Sequence, residues 1–249
     1  MIHIKNYMPE DIRNPKISVV IPVYNESLNI ESIISATVKA LEKIDLPYEI
    51  IVVDDGSADM TGEIARDCGA HVIQNRRNFG KGHALRSGFR MAKGDVIVTI
   101  DADFTSNPQE IEKLVLPLMR GTDIVFGTRF SEKSNVRPYA SSRIHRLGNK
   151  LFNLLILLMT GRSITDSQTS FRAFNKKILK NLDLASNGWE LETEITVKAL
   201  SRGFSFKEVP ITSFPTRSYH ASKISVLRDG FRIFHQILRS SFEMEGSQK

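Results

Sequence analysis

Short apolar, β-branched runs alternate with amphipathic stretches through the first half of the chain. The runs are ISVVIPV (17–23), EIIVVDD (49–55), HVIQN (71–75), DVIVTI (95–100) and DIVFGTR (123–129). Helical periodicity fills the intervals, over 27–43, 58–68, 81–92 and 107–119. Alternation of this kind favours a mostly parallel sheet flanked by helices on both faces, so the sequence predicts an α/β, Rossmann-like fold.

The second half of the chain has a different pattern. It predicts helices over 141–160, 187–201 and 224–243, a loop with a short extended end over 163–175, a strand over 204–211 and a polar, basic loop over 212–223. There is no internal repeat and no linker-like change in composition. We therefore expect a single domain over 1–249, with a specialised C-terminal part.

Composition limits the classes of protein that this chain can represent. One cysteine, Cys68, leaves no disulfide framework and no cysteine-based metal cluster, and its compartment is expected to be reducing. The first 16 residues are polar and do not resemble a signal peptide, and the apolar run LFNLLILLM (151–159) is too short to span a bilayer. We expect no transmembrane helix, although this run can lie on a membrane surface.

The net charge of +6 is concentrated in two stretches. Residues 129–150 hold six Lys or Arg against one acid, and residues 202–239 hold seven against two. Such stretches are either solvated surface or sites that attract phosphate, on nucleic acid, a lipid head group or a substrate. No interleaved aromatic platform accompanies them, which argues against nucleic acid.

Carboxylates follow two of the predicted strands. Asp101 and Asp103 come directly after the run Val96–Ile100, and Asp54 and Asp55 end the run EIIVVDD. In open parallel sheets, ligands bind beyond the carboxyl ends of the strands. If the extended geometry persists, Asp101 and Asp103 face the same way and can share Mg²⁺ or Mn²⁺. The alternative is a set of solvated acids that cap the next helix, although Asn107, Pro108 and Glu110 already form an expected cap and capping box there.

The segment VIVTIDADFT also matches the phosphatase pattern of the haloacid dehalogenase-like enzymes. Asp101 would then be a nucleophile and Asp103 an acid/base. That family requires a second acidic pair later in the chain, whereas Asp54 and Asp55 come earlier. The sequence therefore disfavours this interpretation.

Five motifs in order at strand ends resemble those of the family 2 glycosyltransferases, which have the GT-A fold. They are VVIPVYNE (19–26), VVDDGSADMT (52–61), NRRNFGKGHALRSGF (75–89), DADF (101–104) and GTR (127–129). Later segments resemble the dolichol-phosphate mannose synthase-like group of polyprenyl-phosphate sugar transferases: DSQTSFRAF (166–174), GWELETEITVKAL (188–200), GFSFKEVPI (203–211) and SKISVLRDGFRI (222–233). The resemblance covers about 17–235.

The resemblance implies that residues of about 17–130 bind a nucleotide sugar. It implies that Asp103 is the direct ligand of Mg²⁺ or Mn²⁺ and that Asp101 supports the metal or the ribose. Members often carry Gln two residues after the second Asp, where this chain has Thr105, so the third ligand is open. The residues implied beside the donor are Pro22, Tyr24, Glu26, Asp54, Asp55 and Lys81. For Asp54, a turn-capping role is the alternative, and Tyr24 is alternatively a half-buried core aromatic.

The resemblance places the acceptor, a lipid phosphate, in the half from 131 to 249. Arginine is suited to orienting phosphate because its planar fork matches the phosphate oxygens. The candidates are Arg129, Arg143, Arg146, Arg217 and Lys223. In the WELETE segment (189–194), Glu190 is the candidate for binding sugar hydroxyls, bracing the loop or serving as a base. Asp166 and Gln168 are expected on the sugar side, and Phe171 and Trp189 in the core.

These expectations combine into one function. We expect a catalytic centre of Asp103, Arg129 and Glu190 that transfers a hexose, with inversion, from GDP-mannose, UDP-glucose or UDP-N-acetylglucosamine to dolichyl or undecaprenyl phosphate. The enzyme would be cytoplasmic and peripheral on the cytosolic face of an anionic membrane. This placement is compatible with a membrane-spanning partner subunit. The alternatives are a transferase acting on a glycan hydroxyl, which requires Glu190 or a neighbour as base, and a non-catalytic basic membrane adaptor.

Overall fold

The structure, a computed structural model, describes residues 15–136, 143–215 and 226–245. Its main sheet has seven strands in the order β3-β2-β1-β4-β7-β5-β8. These are β1 (Ile17–Val23), β2 (Tyr48–Asp54), β3 (His71–Gln74), β4 (Val96–Thr99), β5 (Ile124–Thr128), β7 (Arg172–Asn175) and β8 (Phe206–Pro210). β6 (Asn135–Val136) and β9 (Thr212–Ser213) form a separate two-stranded sheet.

The helices cover both faces of the main sheet. They are α1 (Ile30–Ile44), α2 (Thr61–Asp67), α3 (Lys81–Met91), α4 (Ile111–Met119), α5 (Arg143–Thr160), α6 (Lys176–Asn181), α7 (Leu191–Ser201) and α8 (Val226–Glu245). One core cluster joins β1 to α1, α2 and α4, and the other joins the opposite sheet face to α3, α5, α7 and α8. The predicted α/β sheet flanked by helices is confirmed.

All neighbouring strands of the main sheet are parallel except β7, which is antiparallel to both β4 and β5. Because β7 reverses the direction twice, β5 points the same way as β4. The carboxyl ends of β1, β2, β4 and β5 therefore meet at one edge of the sheet. The residues that follow these strands, including Asp55, Asp101 and Arg129, lie at that edge, as the sequence predicts.

Two local expectations are wrong. Asn107 does accept a hydrogen bond from the backbone of Gln109 at the start of a 3-10 turn (Pro108–Glu110), but Glu110 does not complete a capping box. Its carboxylate accepts hydrogen bonds from Thr212, at 2.7 Å from the backbone nitrogen, and so ties α4 to β9. The helix expected from 187 begins only at Leu191, because residues 184–190 form a loop that packs on the glycine-rich turn before α3.

Candidate active site

The Asp-x-Asp segment lies in a turn that follows β4. β4 ends at Thr99, and Phe104 has a left-handed backbone conformation with φ of 58°. The condition under which Asp101 and Asp103 would face the same way, an extended chain through Asp103, is therefore not met. Asp103 Oδ1 accepts hydrogen bonds from the backbone nitrogen and hydroxyl of Thr105, at 3.0 and 2.8 Å. Thr105 thus orients the carboxylate, because its hydroxyl donates to the oxygen directly.

The two carboxylates of this turn repel one another. Burial raises the pKa of the Asp103 carboxyl, and the charge of Asp101 raises it further, against the hydrogen bonds from Thr105 and the charge of Lys81. A raised pKa means that the folded protein disfavours the charged form of the acid, so keeping the charge costs free energy. Additional positive charge close to Asp101 and Asp103 would therefore stabilise their charged forms.

Lys81, the first residue of α3, supplies part of that charge. Its ammonium lies 2.8 Å from Asp101 Oδ1 and 2.9 Å from Glu192 Oε1, and it lies over the ring of Trp189 at 4.3 Å from the centroid. Burial lowers the pKa of Lys81, but the charges of Asp101 and Glu192 outweigh this effect and raise it above its ordinary value. Lys81 is therefore charged and central to this cluster, and its contact with a donor stays a prediction.

Arg129 is held beside the same cluster by Asp166. The guanidinium donates from Nε and one terminal nitrogen to the two oxygens of Asp166, at 2.7 and 2.8 Å. Asp166 is fully buried. Burial lowers the pKa of Arg129, but Asp166 raises it, followed by Asp101 and Asp103, so Arg129 remains charged within electrostatic range of both acids. The structure thus brings together Arg129, Asp166 and the Asp-x-Asp turn.

The site has an excess of negative charge that matches one divalent cation. Two cations, Lys81 and Arg129, face four carboxylates: Asp101, Asp103, Asp166 and Glu192. Arg172 and Glu208 also interact with this group and add one charge of each sign. No cluster of three or more His, Cys, Asp or Glu side chains suitable for a metal occurs in the described part of the chain. Two carboxylates fit a Mg²⁺ or Mn²⁺ that takes its remaining ligands from water and a substrate diphosphate.

The other acidic pair, Asp54 and Asp55, makes contacts that mainly stabilise the local fold. Asp55 accepts hydrogen bonds from the side chain of Asn75 and from the backbone nitrogens of Phe79 and Gly80, the last at 2.7 Å. Asp54 accepts from the backbone nitrogen of Ser57 at 2.9 Å, which is the contact of a turn-capping acid. Asp55 therefore fixes the turn that presents Lys81.

The glycine-rich turn packs tightly against the loop before α7. Gly80 has a φ of +105°, and a Cβ there would lie 2.4 Å from the carbonyl oxygen of Asn187. At Gly82, a Cβ would meet the carbonyl oxygens of Ser186 and Gly188 at 2.7 Å. Only glycine permits this approach, which places Trp189 next to Lys81.

The candidate nucleoside residues lie at the end of β1. Pro22 and Tyr24 are half-buried, and Glu26 is buried and accepts a hydrogen bond from Asn29 at 2.9 Å. The backbone nitrogen of Glu26 also donates to the hydroxyl of Thr61 at 2.8 Å, which links this segment to α2. All three residues are at the same edge of the sheet as Asp101, and their contact with a nucleoside stays a prediction.

In the WELETE segment, Glu192 rather than Glu190 reaches the cluster. Glu190 precedes α7 and accepts a hydrogen bond from the backbone of Gly188 at 3.0 Å, which braces the loop. Glu192, in the first turn of α7, contacts Lys81. Glu190 is the candidate that the sequence indicates in this segment, and bracing the loop is one of the roles expected for it. Gln168 donates to Thr193 at 3.0 Å, and Phe171 is fully buried in the core, as expected.

Sequence reasoning missed Ser170 and Arg172. The Ser170 hydroxyl donates to Asp101 Oδ2 at 2.5 Å. Arg172 is 1% exposed and donates to four oxygens, those of Thr169, Ser167 and Glu192 on the backbone and the Thr196 hydroxyl. A charged residue inside the otherwise apolar segment FRAF (171–174) is the signal that could have identified Arg172.

The acceptor candidates other than Arg129 are only partly described. Arg217 and Lys223 lie outside the described residues, and of Arg143 only the backbone at the start of α5 is described. Arg146 and Lys150 are exposed on α5. No helix in the described ranges is sufficiently long and apolar to cross a membrane.

Fold and site together define a glycosyltransferase with the GT-A fold. The chain belongs to glycosyl transferase family 2, whose sequence profile matches residues 18–183. It is 35% identical to the uncharacterized protein MJ1222 of Methanocaldococcus jannaschii, over 94% of this chain and 96% of that protein. It is 31% identical to glycosyltransferase AglJ of Haloferax volcanii, over 90% of this chain and 71% of that enzyme.

A further relative is an undecaprenyl-phosphate 4-deoxy-4-formamido-L-arabinose transferase of Pectobacterium atrosepticum. It is 34% identical over 89% of this chain, which spans 65% of that enzyme. This relative confirms the resemblance to polyprenyl-phosphate sugar transferases. Among solved structures, glucosyl-3-phosphoglycerate synthase of Mycobacterium tuberculosis in complex with Mn²⁺, uridine diphosphate and phosphoglyceric acid matches with a TM-score of 0.73 and 22% identity, over 91% of this chain and 78% of that one. It supports the fold.

Proposed function

We propose that this glycosyltransferase transfers a hexose from a nucleotide sugar to the phosphate of a polyprenyl lipid, with inversion and with the help of a divalent cation. The observation that carries the proposal is the net charge of −2 in the cluster where Asp101, Asp103, Asp166 and Glu192 face two cations, Lys81 and Arg129. The named polyprenyl-phosphate relative supports the choice of acceptor. The donor candidates are GDP-mannose, UDP-glucose and UDP-N-acetylglucosamine.

Asp103 and Asp101 would hold Mg²⁺ or Mn²⁺ against the diphosphate of the donor. When bound, such an ion offsets the charge that develops on the departing nucleoside diphosphate. Arg129, which Asp166 holds in a fixed orientation, adds a second positive charge at the same edge of the sheet and is our candidate for orienting the acceptor phosphate. Because a phosphate monoester is already anionic near neutral pH, Glu190 is needed only to brace the loop.

Transfer to a lipid phosphate can be measured directly. Purified protein is incubated with a polyprenyl phosphate in detergent, Mn²⁺ or Mg²⁺, and each of the three radiolabelled donors. We expect organic-extractable label with at least one donor, and its loss when the metal is removed with EDTA. No extractable label with any donor contradicts the proposal, and label on a glycan in the absence of lipid phosphate indicates a glycan hydroxyl as acceptor.

We propose that α5 places the enzyme on the cytosolic face of an anionic membrane. Four leucines at spacings of four, three and four residues form an exposed stripe: Leu147, Leu151, Leu154 and Leu158 are 71, 53, 52 and 72% exposed. Arg146 and Lys150 directly precede Leu147 and Leu151 and are also exposed. An exposed apolar stripe beside basic residues fits a helix that lies in the head-group region.

Removing part of the leucine stripe tests this placement. Burial of one leucine contributes about 1.5–3 kcal/mol, so the double variant L154Q/L158Q is expected to lower the partition coefficient about tenfold or more. The measurement is co-sedimentation with phosphatidylglycerol-containing liposomes at low salt, where basic residues contribute most. The control L28Q changes a leucine that is 70% exposed before α1 and should leave binding intact. Failure of the unmodified protein to bind contradicts the proposal.

A further inference from the structure

One ammonium contacts two carboxylates at the centre of the site, the half-buried Asp101 and the buried Glu192. Lys81 Nζ lies 2.8 and 3.0 Å from the two oxygens of Asp101 and 2.9 Å from Glu192 Oε1. The Lys81 and Glu192 side chains are 10% and 5% exposed. The three groups together carry one net negative charge, so neither carboxylate has Lys81 to itself.

The Lys81 ammonium lies at the Asp101 oxygens, where a metal ion bound to Asp101 would lie. Both Asp101 oxygens contact the ammonium, and Oδ2 also accepts the Ser170 hydroxyl at 2.5 Å. A divalent cation that binds Asp101 needs a lone pair of one of these oxygens, and it repels an ammonium at that distance. Metal binding at Asp101 therefore requires Lys81 to withdraw from at least one oxygen.

Glu192 can keep Lys81 paired during that withdrawal. Its side chain is almost fully buried, and its Oε2 has no hydrogen-bond donor among the residues that the structure describes. Burying a carboxylate oxygen without a donor costs folding free energy. Oε2 of Glu192 can therefore accept a donor such as the Lys81 ammonium when that ammonium moves. Because Lys81 already contacts Oε1 of Glu192, a small side-chain movement transfers the ammonium fully to Glu192.

We propose that Lys81 is the resident counter-cation of Asp101 and that Glu192 is the positioning residue that retains Lys81 when a divalent cation takes its place. The proposal rests on the proposed function, in which Asp101 and Asp103 bind Mg²⁺ or Mn²⁺. It assigns Glu192 a role in metal entry that acts through Lys81 and requires no contact with the sugar. The Trp189 ring, 4.3 Å from the ammonium, lines the space in which Lys81 moves.

A double-mutant cycle on Mn²⁺ binding tests this role without measuring turnover. Free Mn²⁺ is followed by electron paramagnetic resonance in the unmodified protein, K81M, E192Q and K81M/E192Q, with MnCl₂ alone as the probe. K81M removes the competing cation and is expected to lower the Kd about tenfold. E192Q is expected to raise the Kd at least about fivefold more when Lys81 is present than in the K81M background, since residues acting as a unit are non-additive.

The controls separate this inference from the proposed function. K93M removes an exposed lysine and should leave the Kd unchanged. K81M/E192Q removes one charge of each sign and is therefore the variant expected to keep the fold, as checked by circular dichroism. If Mn²⁺ binds but E192Q has the same effect in both backgrounds, the role of Glu192 is wrong and the proposed function stands. If neither the unmodified protein nor K81M binds Mn²⁺ below about 10 mM, a concentration well above most physiological divalent-metal affinities, the metal site fails, and both proposals fall.

Discussion

Replacing Asp103 by asparagine is expected to lower kcat/KM about 10³-fold, because the variant keeps the shape of the metal ligand and loses its charge. The asparagine oxygen can still accept the two hydrogen bonds from Thr105, so the turn after β4 should keep its conformation. What disappears is one of the two negative charges that hold the divalent cation against the leaving diphosphate. The measurement is a steady-state transfer assay at several Mn²⁺ concentrations.

The same substitution should leave the fold intact or make it more stable. Burial and Asp101 raise the pKa of Asp103, so its charged form is disfavoured in the folded protein at pH values above that pKa. Removing the charge relieves this cost, and urea unfolding at pH 7 should show no loss of stability. D67N, on the exposed end of α2, is the matched control and should change neither property. More than about a tenth of the original activity in D103N would contradict the electrostatic role, which predicts a far larger loss.

Replacing Arg172 by methionine is expected to destabilise the protein by about 3–5 kcal/mol, the usual cost of removing one partner from a buried charged network. The guanidinium donates to Ser167, Thr169, Glu192 and Thr196, and it lies over the Phe126 ring at 5.0 Å. Methionine fills much of the volume but removes one donor from each of four acceptors. Urea denaturation at neutral pH measures the loss.

Two further variants show whether the geometry of the guanidinium is what matters. R172K should recover little stability, because a single ammonium cannot donate in all the directions that the planar fork reaches. R90M removes an exposed arginine of α3 and should cost less than about 0.5 kcal/mol, as for most surface substitutions. If R172M unfolds within about 1 kcal/mol of the unmodified protein, the network does not hold β7 to α7 in the way described.

The strands were the most predictable part of the fold. β1 matches its expected bounds because a continuous apolar run between polar neighbours has few other structures open to it. The edge at which Asp55, Asp101 and Arg129 meet also followed from strand direction alone. α6 and the β6–β9 pair were missed, since elements this short carry too little periodicity to be recognised.

The contacts inside the site depended on details that the sequence does not encode locally. Lys81 and Asp101 are twenty residues apart, and only the packing of α3 on the sheet brings them to an ion pair. Glu190 braces the loop, which is one of its expected roles, whereas Glu192 is the acid that reaches Lys81. The helix begins at Leu191, later than expected, and this sets which side chains face the site. Periodicity identifies helices, but their first residue depends on tertiary contacts such as those of Gly80 and Gly82 with the preceding loop.

The insertion of β7 between β4 and β5 has a consequence for synthesis on the ribosome. Within the described ranges, β5 pairs with β7 and β8 alone, and both are translated later, so the apolar segment Ile124–Thr128 emerges before these two neighbours exist. At about 5–20 residues per second, the wait until Arg172–Asn175 is made lasts a few seconds. During that time the nascent chain exposes an apolar, unpaired strand that is prone to aggregation. We expect chaperones to bind the nascent chain in this interval.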